Sequence, residues 1–173
     1  MAARRSTGWT GRPPTARPHS LAPWSLTPRR LGSIRIGMNL QDALATGLFV
    51  ADPDEQCGDL ANLVATYERD IFVDWKDDVI FSILVKGQAR TRGGVRVGSA
   101  VSRLRATQPL LRGPRLVEGD GGLRWIQFTR RGRDWLVFGL DTPSDRSPRG
   151  RDRIEFLNVQ NSWSTEQGLF GGC

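Results

Sequence analysis

The chain of 173 residues is long enough for one domain or two small ones. Its 38% hydrophobic and 25% charged residues suit a globular protein, not a fibre or a collagen, and no apolar run reaches the roughly 18 residues of a membrane-spanning helix. Two cysteines exclude a disulfide scaffold and a four-cysteine zinc site, and the single histidine, His19, excludes a site built on two imidazoles.

The net charge of +7 is unevenly spread. Residues 1–31 carry six arginines and no acid. Residues 32–88 carry four bases and ten acids, and residues 89–173 carry fifteen bases and eight acids. Segments of opposite sign attract, so part of the field cancels within the chain. The basic excess alone therefore does not make nucleic acid the favoured partner.

Residues 1–30 hold five of the ten prolines, among Ser, Thr, Gly and Arg. Proline fixes φ and removes a donor, so this segment reads as a disordered basic tail without a regular helix or central strand. Arg4-Arg5 is not followed by an apolar stretch, so no export signal is predicted there.

Two later stretches match at an offset of 61. Gly32-Ser33-Ile34-Arg35-Ile36-Gly37-Met38 aligns with Gly93-Gly94-Val95-Arg96-Val97-Gly98-Ser99, and Leu40, Ala45 and Thr46 align with Val101, Ala106 and Thr107. Such self-similarity predicts one supersecondary unit made twice. In each copy a short apolar–Arg–apolar segment is extended, and a glycine turns the chain into a short helix. Asn39 and Ser99 are the expected N-caps. Leu40, Ala43 and Leu44 form the inward stripe of the first helix, with Gly47 as its stop; Val101 and Leu104 face inward in the second, which ends at Pro109.

After each helix the pattern predicts strands. In the first copy they are 63–67, 71–75 and 79–85, with Lys76-Asp77-Asp78 as a turn. In the second they are 115–118, 123–129, 135–140 and 154–159. Asp77-x-Val79-x-Phe81 and Asp152-x-Ile154-x-Phe156 are expected to correspond, at an offset of 75. The predicted fold class is α+β: two tandem units, each a short helix packed on an antiparallel β-meander. The domains are a tail at 1–30, a first repeat at 31–88, a second at 89–160 and a C-terminal tail at 161–173.

The repeated Gly-x-Ile-Arg-Ile-Gly-Met and Arg90-Thr91-x-x-Gly94-Val95-Arg96-Val97-Gly98-Ser99 patterns resemble tandem-repeat proteins related to the β-lactamase inhibitor protein, which share a helix-then-sheet unit with the SmpA/BamE lipoprotein domain. The resemblance spans about residues 28–160. It implies two units side by side, with a concave aromatic-rich sheet face presented to a protein partner. It also implies an extracytoplasmic location, although this chain shows no recognisable signal peptide.

The candidate partner-binding residues are Tyr67, Trp75, Trp125, Trp135 and Phe138, all in predicted strands, together with Arg124. Half-exposed aromatics supply much of interface energy, although core packing is the commoner role of each. Trp163 lies in a polar C-terminal stretch. Arg124, Arg130, Arg131 and Arg133 surround one predicted hairpin, with Trp125 and Phe128 interleaved. That mixture could stack single-stranded nucleic acid, and more often marks a solvated strand face and turn. Asp74, Asp77 and Asp78 lack the glycine and distal Glu of a calcium loop, so no metal site is assigned. Cys57 and Cys173 are a possible disulfide, with two free thiols preferred.

The chain lacks a P-loop, a dinucleotide glycine fingerprint, a Gly-x-Ser-x-Gly elbow and a metal-ligand cluster. The expected function is a non-enzymatic module without cofactor, binding a protein or cell-envelope component through an exposed sheet face. The alternatives are a basic nucleic-acid-associated protein and a hydrolase with carboxylates between the repeats.

Overall fold

The computed structural model describes residues 24–51, 61–64, 67, 69–119 and 122–161. Among these residues twelve strands and two helices follow in chain order. β1 (Ser25–Thr27), β2 (Arg30–Leu31) and β3 (Ile34–Arg35) precede α1 (Leu40–Ala45). β4 (Phe49–Ala51), β5 (Ala61–Leu63), β6 (Ile71–Lys76), β7 (Val79–Val85) and β8 (Arg90–Thr91) precede α2 (Val101–Thr107). β9 (Arg112–Gly119), β10 (Gly122–Arg131), β11 (Asp134–Asp141) and β12 (Arg153–Gln160) complete the fold.

The expected α+β plan of two helix-on-meander units is not what forms. The protein is mostly β, with 52% strand and 10% helix among the described residues, arranged in three sheets. The largest is a single antiparallel sheet of order β6-β7-β12-β11-β10-β9. It takes strands from both expected units, and β12 joins them by pairing Leu157 with Val85 and Val159 with Ile83. The four-stranded sheet β3-β2-β1-β8 likewise joins the two halves, with β1 parallel to β8. Helices of six and seven residues are too short to cover a meander, and α1 packs chiefly on β4. Backbone pairing between the halves therefore replaces two separate helix–sheet layers.

The chain also enters the fold earlier than residue 31. β1 lies inside its sheet, and Leu26 is buried. Pro28 sits in the turn after β1, where no ladder donor is needed.

The similarity between the two glycine-flanked segments has a local structural meaning. Gly37 N–H donates to the Ile80 carbonyl at 2.7 Å, and Gly98 N–H donates to the Ile154 carbonyl at 2.8 Å. Ile80 N–H returns a bond to the Met38 carbonyl, and Ile154 N–H returns one to the Ser99 carbonyl. Both glycines have φ near +80°, a conformation glycine adopts without a Cβ clash. Each segment thus docks alike on the rim of the one large sheet. The receiving strands correspond at an offset of 74, which pairs Ile80 with Ile154 and differs by one residue from the expected 75.

Strand alternation divides the large sheet into two faces. One carries Ile83, Val85, Leu136, Phe138, Leu157 and Val159 into the main core, which also gathers Leu26, Leu31, Ile34, Ala43, Val95, Val101 and Leu104. The other carries a smaller cluster of Leu84, Ile126, Phe128, Val137 and Phe156.

Candidate functional site

The predicted site residues separate into two groups. Phe138 is wholly buried in the main core. Trp75 is buried, packs edge-on against Phe49, and donates its indole N–H to the Ala61 carbonyl at 3.1 Å, tying β6 to β5. Tyr67 is buried with its ring 5.0 Å from that of Trp24. Trp125, Trp135 and Arg124 remain partly accessible, and all three lie on β10 and β11. Cys57, Cys173, His19 and Trp163 lie outside the described residues.

β9 is an edge strand, paired only with β10, and most of its residues are exposed. Across this hairpin Leu116 pairs with Trp125 and Glu118 with Leu123. Leu123 and Trp125 are two residues apart, so Leu116, Leu123 and Trp125 share one face. Leu116 is 37% and Leu123 55% exposed, and Leu110, just before β9, is 72% exposed. Three of the five exposed large hydrophobic residues among those described thus fall between positions 110 and 123. Trp125 anchors the strip: its ring packs against the main core, and its indole N–H donates to the Pro143 carbonyl at 3.1 Å.

The opposite face of the same strands carries a ladder of guanidinium groups and rings. Arg115 sits over Phe128 at 5.5 Å and Arg130 over Trp135 at 5.1 Å. The Phe128 and Trp135 ring centroids are 4.8 Å apart. Arg124 spans to Glu155 at 2.6 Å. The described residues of β9 and β10 contain five arginines and a single acid, Glu118. Such cation–π stacking holds the arginine stems in place and makes this face, behind the apolar strip, positively charged.

The acidic turn acts as a hairpin connector. Lys76 pairs with Val79, and Asp77 and Asp78 both have positive φ, the geometry of a two-residue turn that follows strand twist. Among the described residues no group of three or more potential ligands is placed to hold a metal ion.

One ionic centre stands out. Asp152 is buried and accepts from Arg146 at 2.7 and 2.9 Å, from the Thr142 hydroxyl at 3.0 Å and from Arg149 N–H at 2.8 Å. The Arg146 hydrogen bond, helped by the Arg149 N–H, holds its carboxyl well below the usual range. All the partners come from the β11–β12 loop itself, so this centre shapes that loop.

Sequence reasoning placed Trp125, Trp135 and Arg124 on the strands that carry the accessible surface. It missed the exposure of Leu110, Leu116 and Leu123 and the stacking role of Arg115. The available signal was the apolar residues in a stretch bounded by Pro109 and the glycines at 119–122. Comparisons with protein families, with curated proteins and with solved structures found no match.

Proposed function

We propose that the protein is a non-enzymatic binding module that engages a protein or cell-envelope component through the β9–β10 hairpin. The carrying observation is the strip of Leu116, Leu123 and Trp125 on the β9–β10 hairpin at one edge of the sheet. Exposed apolar residues around a half-buried tryptophan have the composition of an interface hot spot. The five arginines of the same two strands favour a partner of acidic character.

Two observations weigh against the alternatives. Phe128 is 3% exposed, and the Phe128 and Trp135 rings already contact each other and a guanidinium each. They offer little free ring surface for stacking a base. The buried carboxylate Asp152 is held ionised by Arg146 in an ion pair and by Thr142 and Arg149 of its own loop. A catalytic carboxylate would instead need a pKa near its working pH.

The test is capture from the native cells on the immobilised full chain, compared with a Leu116→Asp/Leu123→Asp variant. The expected result is a species held by the wild type and lost with the variant. Capture unaffected by the two substitutions would refute the reading. Salt-sensitive binding of an oligonucleotide, weakened by Arg131→Gln, would favour nucleic acid instead.

A further inference from the structure

A cleft separate from the hairpin strip differs from it in composition and in the elements that build it. It is a cleft of about 900 Å³ lined by Lys86, Arg90, Arg96, Arg103 and Arg153, with Asp70 as its only acid. The five bases come from five places in the fold: the end of β7, β8, the bridge residue after Val95, α2 and β12. Among the described residues none of the five forms an ion pair.

The arrangement is costly for a surface with no ligand. Arg90 and Arg96 face each other across an antiparallel bridge. Like charges directly opposite on paired strands repel. Of the other guanidinium groups, one lies against a glycine and one is bonded to glycine backbone. A Cβ at Gly94 would stand 3.0 Å from the Arg103 Nη2, so the missing side chain leaves room for that guanidinium. Arg153 Nη1 donates to the Gly98 carbonyl at 3.1 Å. Asp70, the one carboxylate, packs over Gly87.

We propose that this cleft binds a ligand carrying two or more adjacent phosphate groups, of the oligophosphate class. Guanidinium forks match phosphate oxygens two at a time, and several converging on one volume favour a multiply charged anion over a single phosphate. The volume lies within the range of small-molecule sites. No aromatic residue lines the cleft, so it offers charge to phosphates and no stacking platform to bases.

The test is calorimetric titration of the full chain with tripolyphosphate at low and moderate salt. The expected result is saturable 1:1 binding that weakens as salt rises. Arg96→Gln and Arg153→Gln should each raise the Kd about tenfold, while Arg131→Gln, in the β10–β11 hairpin outside the cleft, should leave it unchanged. Absence of tripolyphosphate binding at low salt would overturn the proposal, as would an equal loss in Arg131→Gln. Tighter binding of a single-stranded thymidine oligomer, with the same dependence on Arg96, would reassign the cleft to nucleic acid and overturn it too. Amide chemical shifts of Gly94, Gly98 and Ser99 on adding tripolyphosphate give a readout on the wild type alone, and unmoved shifts would count against the site. Loss of the hairpin strip by Leu116→Asp/Leu123→Asp should not change this titration, which separates it from the proposed partner interface.

Discussion

At Asp152 a single carboxylate holds the β11–β12 loop through four hydrogen bonds, two of them from Arg146. Its pKa is lower in the folded chain than in the unfolded one, so the ionised form is the one that folding favours. The stabilisation is therefore complete above the unfolded carboxylate value near 4 and is lost as pH falls from there through the lower folded value. Asp152→Asn should lower the thermal midpoint at pH 7, and its deficit against the wild type should shrink as the pH is lowered below about 4. A deficit that is constant with pH would show that the loop does not depend on the charge. Gly139 makes a different point. It pairs with Phe156 across β11 and β12, and the ring lies where a Cβ would go. Phe156 is 3% exposed and belongs to the second cluster, so its ring has little room to yield. Gly139→Ala should cost about 1–3 kcal/mol in urea unfolding.

At the level of single elements, much was legible because it depends on neighbours in sequence. The predicted strands 123–129, 135–140 and 154–159 fall inside β10, β11 and β12, where alternation is clear. The stripes of both helices were also read correctly: Ala43, Val101 and Leu104 are buried. The caps were read correctly only for α1. Asn39 accepts from Asp42 N–H at 2.8 Å, whereas α2 is preceded by Ala100 without a side-chain cap. Ser99 instead bonds Arg96 N–H at 3.0 Å within the glycine turn, since that turn competes for its hydroxyl. Asn39→Ala should accordingly cost about 1 kcal/mol of stability, measured by denaturant unfolding. Bulges were invisible in the sequence. The shift between Asp74 and Trp75 leaves Phe81 unpaired with β6 and breaks the two-residue alternation along β7, so Ile80, Ile83 and Val85 reach the core.

Across the whole molecule the sequence misled because a local repeat does not determine how its copies associate. The two glycine turns are bonded alike, yet β12 and β7 join the following strands into one sheet. That choice rests on pairing between residues more than seventy positions apart, which no periodicity records. It also decides which aromatics are hidden: Phe138 and Trp75 face the shared core, while Trp125 stands one strand in from the edge strand β9 and stays half-buried. The candidate surface was thus legible in its tryptophans and arginine, and illegible in the leucines whose exposure follows from β9 being the last strand. Hydrogen exchange of the full chain, alone and with its captured partner, tests this placement most directly. The account predicts slowed exchange on binding across residues 112–125 and little change in α1, β4 and β5. Protection of α1, β4 and β5 with the hairpin unchanged would contradict it.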